Sequence, residues 1–285
     1  MKIADIKNDI KIRLDGAGVT DADAEARLLL KEYAGVSVSD IYANPDSEID
    51  SAPALQKIES AVEQRLKHIP IQHILGHTDF MGFEFLTPPG ALIPRADTEI
   101  LVEEVLKDYH EGSKILDLCT GTGCIIISLI SLTGDCRGVG TDISSEALKI
   151  ADENRKLILG DKADYLELRK GDLFDALKEN EVFDLIVSNP PYIRSGDIEG
   201  LMPEVKDHDP LIALDGGEDG LDFYRKIISG ARSHLLKGGE IFLEIGFDQA
   251  GSVTKFMEAN GFKYINVIKD FSGNDRVVRA VSPVL

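Results

Sequence analysis

From Gly112 onward, short apolar runs alternate with helical segments, and no other feature constrains the chain as strongly. KILDL (114–118), RGVGTD (137–142), YLELRK (165–170), FDLIVS (183–188) and EIFLEI (240–245) are too short for helices and apolar enough to need cover. Strands of this kind form parallel sheets with crossover helices. KYINVIK (263–269) and RVVRAV (276–281) follow with only a loop containing Gly273 between them, so they are expected to pair antiparallel at a sheet edge. The predicted class is α/β, with a seven-stranded sheet whose last strand is antiparallel.

The first part of the chain reads differently. Ile3, Ile6, Ile10 and Leu14 fall at helical steps, and Gly16 and Gly18 are expected to end that helix. Thr20 and Asp23 predict a capping box for the next helix, with Ala24, Leu28, Leu29 and Tyr33 on its apolar side. Pro53 opens a longer helix whose Leu55, Ile58, Val62, Leu66 and Ile69 form one stripe. No acid/base cluster occurs here, so the segment reads as a helical packing or docking module. Phe80, Phe83 and Phe85, with Gly82 and Gly90, predict a hairpin or extended linker, and Asp97 is placed to cap a helix bearing Leu101, Val102, Val105 and Tyr109. The expected division is a helical domain over 1–75, a hairpin linker over 76–93 and an α/β domain over 94–285.

The end of the first α/β strand carries the first chemical motif, Asp117-Leu118-Cys119-Thr120-Gly121-Thr122-Gly123. Glycines at such a turn admit close backbone approach to a ligand, and the following helix offers oriented N–H groups. The pyrophosphate fingerprint is incomplete, because Ile126 stands where its third glycine would be. The spacing resembles instead the DxGxGxG loop of S-adenosylmethionine-dependent methyltransferases, with Cys119 in place of the first glycine. If that position needs a positive φ, Cys119 is strained there.

Asp142 ends the next strand, where a carboxylate accepts from ribose hydroxyls or caps the helix starting near Ser144. Asp172 ends the third strand, either as a turn residue or as acceptor for an adenine amino group with Leu173 against the ring. Three acids after three consecutive strands lie together at the carboxyl edge, where open α/β sheets bind ligands.

Asn189-Pro190-Pro191-Tyr192 follows the fourth strand at the same edge. Asn-Pro and Pro-Pro also mark ordinary turns. Beside a cofactor site, however, they suit transfer to a conjugated amino nitrogen, whose delocalised lone pair makes it a poor nucleophile. The Asn189 side-chain oxygen and the Pro190 carbonyl can accept its two hydrogens and favour the pyramidal nitrogen of the transition state. Pro191 keeps the loop out of a helix, and Tyr192 offers a flat face to a planar target. A neutral nucleophile that loses its proton after attack needs no strong base. His68, His73, His77, His110, His208 and His234 show neither metal-ligand spacing nor a triad partner.

Nearly the whole chain resembles the HemK/PrmC family, the N5-glutamine methyltransferases of peptide-chain release factors. Besides DLCTGTG and SNPPYI, the stretches RLKHIPIQHILGHTDFMGFEF, ALIPRADTEILVE, DPLIALDGGEDGLDFYRKI, LEIGFDQ and SGNDRVVRA carry the likeness. NPPY alone is shared with DNA adenine, rRNA guanine and ribosomal-protein glutamine methyltransferases. The resemblance implies a Rossmann-like class I methyltransferase domain joined by a hairpin to a helical substrate-recognition domain. It implies S-adenosylmethionine as methyl donor, held by Asp117, Cys119 to Gly123, Asp142, Ile143, Asp172, Leu173 and Asn189. The substrate it implies is the GGQ glutamine of class-1 release factors, held by Asn189 to Tyr192. Arg95 either shapes the mouth of the site or ion-pairs with a nearby carboxylate. Asp207 to Pro210 lacks the aromatic residue expected before its acidic-Pro pair.

Composition separates the remaining alternatives. Fifty acidic against 31 basic side chains leave a net charge of −19, which repels phosphate backbones and argues against direct nucleic-acid binding, and thus against a base methyltransferase using the same loop. It favours a protein substrate with basic surroundings. With 43% hydrophobic and 28% charged residues, the chain is a globular one. It has no spanning apolar run and no signal-peptide pattern at Met1, and so is expected to be a cytoplasmic monomer without a membrane partner. Cys119, Cys124 and Cys136 fit reduced packing residues rather than a disulfide framework.

Overall fold

The computed structural model describes Met1–Pro283 and divides into two compact units. The first comprises Met1–Gly76 together with Met202–His208; the second comprises His77–Leu201 and the described residues from Asp209 onward.

In the first unit, α1 (Ile3–Gly16) buries Ile3, Ile6, Ile10 and Leu14, the stripe read from the sequence. It runs through Gly16, and the turn comes at Ala17 and Gly18. The next helix, α2 (Ala22–Ala34), is rotated from the expected face: Ala22, Ala26, Leu29 and Leu30 are buried, while Leu28 is exposed. The small alanines allow close packing, and the same face carries Glu25, which is buried because Arg65 pairs with it at 2.7 Å. Thr20 and Asp23 make no capping box, since Asp21 holds the N-cap position and Asp23 instead pairs with Lys7 and Arg27. A reciprocal box forms at Ser37 and Asp40, opening α3 (Val38–Ala43).

Ser51 caps α4 (Ala52–Arg65), with Pro53 in its first turn. Left-handed His68, at φ 62°, breaks the chain after it, so Ile69 lies beyond the helix. A short α5 (Ile71–Leu75) completes the N-terminal stretch.

The second unit begins with a hairpin, β1 (His77–Phe80) and β2 (Phe83–Leu86). It is more than a linker. Phe80 and Phe85, edge to face at 5.9 Å, are buried in one core with Leu101 of α6 (Ala96–Asp108) and Ile126 of α7 (Cys124–Thr133). Asp97 does not cap α6, whose N-cap is Arg95; it lies in the first turn and pairs with Arg276 at 3.0 Å.

The seven-stranded sheet has the order β5-β4-β3-β6-β7-β9-β8. Its strands are β3 (Lys114–Leu118), β4 (Arg137–Asp142), β5 (Leu166–Lys170), β6 (Phe183–Ser188), β7 (Leu235–Glu244), β8 (Lys263–Lys269) and β9 (Asp275–Val281). The strands β3 to β7 pair in parallel, while β9 runs antiparallel to both β7 and β8. The last two strands therefore pair antiparallel at the sheet edge as expected, with β9 inserted between β7 and β8. Burial explains the order, because Val277, Val278 and Ala280 are fully buried, whereas β8 exposes Tyr264 and Val267 as only an edge strand can.

Alternating side chains enter two cores. Ile115, Leu185 and Phe242 pack with α6 and α7 on one face. Leu116, Ile186 and Ile241 pack on the other with α11 (Asp222–His234) and α12 (Ala250–Ala259). Between these elements in the chain lie α8 (Ser145–Leu159), α9 (Pro203–Lys206, in the first unit) and α10 (Leu211–Leu214). Glu204 of α9 accepts from Arg65 at 2.9 Å, so a single buried guanidinium bridges Glu25 and Glu204.

Candidate active site

The parallel strands deliver their carboxyl ends to one edge of the sheet, and there the second unit opens into a cleft with two compartments. The larger spans the ends of β3, β4, β5 and β6. Asp142, Ile143, Asp172 and Leu173 line it, as do Cys119, Gly121, Asn189 and Pro191. The second compartment shares Cys119, Gly121 and Asn189 and adds Arg95, Thr98, Thr120 and Thr122. Residues read from four separate strand ends thus share one cavity.

Each has a physical reason for its position. Asp142 accepts from the Gly121 N–H at 2.9 Å with one oxygen and from the Ser144 N–H at 2.8 Å with the other. It therefore ties the glycine loop to the start of α8, whose N-cap is Ser144 rather than Asp142, and it also walls the cleft. Burial raises its pKa, opposed by those N–H groups. Asp117 is fully buried: one oxygen accepts from the Thr120 hydroxyl at 2.6 Å, and the other has no hydrogen-bond partner. Burial pushes its carboxyl up to about 7. The Thr141 hydroxyl, also buried and unpartnered, lines the larger compartment. Asp117 itself lies beneath the glycine loop and is in neither compartment's lining, so of these two unmatched groups only the Thr141 hydroxyl borders the cleft.

Cys119 adopts φ 59° and Leu173 φ 51°, both in the left-handed region. Two non-glycine residues in this strained region flank the cavity, a pattern associated with functional sites. Burial and the carboxylates of Asp142 and Asp117 push the Cys119 thiol upward, so it stays protonated. The left-handed backbone costs about 1–2 kcal/mol for a residue with a Cβ. Cys119→Gly is therefore expected to stabilise the protein by up to about 1 kcal/mol, part of the relief being offset by greater freedom of the unfolded chain. Urea denaturation midpoints at unchanged slope check this.

Asp172 is exposed at the cleft rim, with Lys226 3.6 Å away. Arg95 does ion-pair, donating to Asp209 at 2.6 Å, and it also lines the second compartment. The acid it meets belongs to the Asp207–Pro210 segment that departs from the expected pattern.

The Asn189-Pro190-Pro191-Tyr192 loop is braced from behind. Gln249, buried, donates to the carbonyls of Tyr192 at 2.9 Å and Gly220 at 3.1 Å while accepting from the Gly246 N–H. At Gly220, with φ +73°, a Cβ would sit 2.4 Å from the Tyr192 oxygen, so only glycine fits. The Asn189 Nδ2 donates to the Thr98 hydroxyl at 3.2 Å. Thr98, Gln249 and Glu244 are absent from the sequence-derived site. Glu244 ends the fifth α/β strand, where the strand-end argument used for the other four would have found it.

Comparison with known proteins decides the family. A release factor glutamine methyltransferase of Thermodesulfovibrio yellowstonii is 44% identical over 235 residues, covering 81% of this chain and 82% of that protein. One of Agrobacterium fabrum is 39% identical over 272 residues, covering 93% and 92%. The chain belongs to the release factor glutamine methyltransferases. The family model for the PrmC N-terminal domain matches residues 5–76 of this methyltransferase, and that for the methyltransferase small domain matches residues 95–202. Among solved structures, a methyltransferase from Pyrococcus furiosus has a TM-score of 0.53 at 20% identity, over 71% of this methyltransferase and 90% of that chain, which speaks for the fold alone. Among the described residues, no helix is long and apolar enough to cross a membrane, and no group of His, Cys, Asp and Glu could hold a metal.

Proposed function

We propose that this protein transfers a methyl group from S-adenosylmethionine to the side-chain amide nitrogen of the GGQ glutamine in class-1 release factors. The observation that carries the reading is the placement of Asn189, which walls the same cleft as Asp142 and borders both of its compartments. When bound, S-adenosylmethionine supplies a methyl group on a positively charged sulfur, and transfer leaves a neutral thioether. Asp142 would hold the ribose, Asp172 and Leu173 the adenine, and the loop from Cys119 to Gly123 over Asp117 the amino-acid portion.

The chain's own contribution is orientation and electrostatics. With Nδ2 committed to Thr98, Asn189 has Oδ1 left to accept one N–H of the substrate amide, and the Pro190 carbonyl accepts the other. The buried prolines fix that carbonyl, whereas Tyr192 packs against the core and is in neither compartment's lining, so it is not placed as the planar wall. As the nitrogen–methyl bond forms, its lone pair localises and the N–H bonds become more acidic, so both acceptors bind the transition state more strongly than the ground state. The proton then leaves to water. Among the described residues lining the cleft there is no His, which agrees with a reaction needing no strong base. Alignment of this kind supplies about 7–11 kcal/mol in favourable cases.

Labelled S-adenosylmethionine offered with a class-1 release factor, and separately with rRNA and DNA, tests the reading. Label is expected on the release factor. Label on nucleic acid alone would favour the base-methylating alternative, against which the net charge of −19 stands.

A further inference from the structure

Ser188 of β6 lies opposite Leu243 of β7, so Asn189, the residue after β6, and Glu244, the last of β7, follow at neighbouring strand ends. Glu244 is 1% exposed, and its Oε2 has no hydrogen-bond partner. Its backbone is fixed, because the buried Tyr224 hydroxyl donates to its carbonyl at 2.8 Å. The carboxyl lies within reach of Thr98 and Asn189, both of which favour its ionised form. Thr98 is itself buried and accepts from Asn189 Nδ2. A hydroxyl can donate once while accepting, so a donation from Thr98 to the carboxylate orients its lone pair toward Nδ2.

A buried carboxyl with an idle oxygen is costly, and an apolar side chain would fill the space more cheaply. What the carboxylate adds is direction. It accepts only, so it determines which way both the hydroxyl and the amide point. Once protonated it becomes a donor as well, and that direction is lost.

We propose that Glu244 is a positioning residue for methyl transfer: its carboxylate, through Thr98 and directly, holds the Asn189 amide with Nδ2 inward and Oδ1 toward the substrate nitrogen. This rests on the functional reading above and assigns the feature that keeps its central acceptor in place. The groups facing Glu244 are Asp97 on α6, Cys124 at the start of α7, Tyr192 after β6, Tyr224 on α11 and Arg276 on β9. The phenols of Tyr192 and Tyr224 and the Cys124 thiol are all pushed up by burial and stay neutral, and Arg276 pairs with Asp97 and Asp270. Burial raises the Glu244 carboxyl to about 7. Ionisation, and with it the orientation of Asn189, is therefore gained as pH rises through neutrality.

The test is release-factor methylation at saturating S-adenosylmethionine, comparing wild type, Glu244→Gln and Glu244→Ala. Wild-type kcat is expected to rise about ten-fold between about pH 6 and pH 8. Glu244→Gln keeps the shape and an acceptor but does not ionise. Its kcat should be lower than wild type at the upper end and flat across the range. Glu244→Ala should lose about 10- to 100-fold in kcat, with KM for S-adenosylmethionine changed less than about two-fold. A Glu244→Gln profile with the wild-type slope would overturn the proposal, as would losses appearing only in KM. If the alanine variant does not fold, the glutamine profile decides. A wild type inert toward release factor overturns the functional reading instead, so the two failures are distinct.

Discussion

Asn189→Ala is expected to lower kcat for release-factor methylation by about 10²–10³-fold, the loss typical of removing one preorganised electrostatic partner of a transition state. Affinity for S-adenosylmethionine should change by no more than a few-fold, since Asn189 is one wall residue among many in the larger compartment. The split follows from the chemistry: the side-chain oxygen is needed most when the amide nitrogen becomes pyramidal, so the loss belongs in kcat. Truncation also leaves Thr98 without the donor it accepts from at 3.2 Å, but that hydroxyl remains beside the Glu244 carboxyl. The fold should therefore survive, and thermal melts with isothermal titration of the cofactor separate the outcomes. Equal loss in kcat and cofactor affinity would assign Asn189 to the cofactor rather than to the acceptor.

Asp142→Ala should do the reverse. Hydrogen bonds to a charged group contribute about 1.5–3 kcal/mol each. Removing the two that a ribose diol would make should raise the dissociation constant of S-adenosylmethionine by about 100-fold or more. This carboxylate also accepts from the Gly121 and Ser144 N–H groups, so the alanine variant should lose stability as well. Asp142→Asn keeps one acceptor oxygen and should melt closer to wild type while still binding the cofactor weakly. Titration calorimetry beside denaturant unfolding distinguishes a binding role from a structural one. A stability loss without a change in affinity would mean that Asp142 serves only to join the glycine loop to α8.

What could be read from the sequence was governed by locality. The short apolar runs and the turn residues at their ends placed Asp117, Asp142, Asp172 and Asn189 at a common edge, because a parallel sheet aligns strand ends whatever the order of its strands. The strain at Cys119 was legible too, since a side chain where a glycine pattern expects none invites a positive φ, and it has one. Hidden were the features set by partners distant in sequence. The placement of β9 between β7 and β8 depends on which strand can tolerate exposure. The rotation of α2 depends on Glu25 finding Arg65, which also takes Glu204 from 139 residues away. Likewise the brace behind the Asn189 loop joins α6, β7 and the residue before α12 through Thr98, Glu244 and Gln249, which lie in stretches that carry the family likeness but far apart in sequence. Glu244 was within reach, because it ends a strand as the recognised acids do.

The central claim is tested most directly by tandem mass spectrometry of a class-1 release factor incubated with this protein and S-adenosylmethionine. The account predicts a single added methyl group on the side-chain nitrogen of the GGQ glutamine, absent when that glutamine is replaced or when the protein carries Asn189→Ala. A methyl group at any other residue, or an unmodified release factor while another acceptor is labelled, would contradict it.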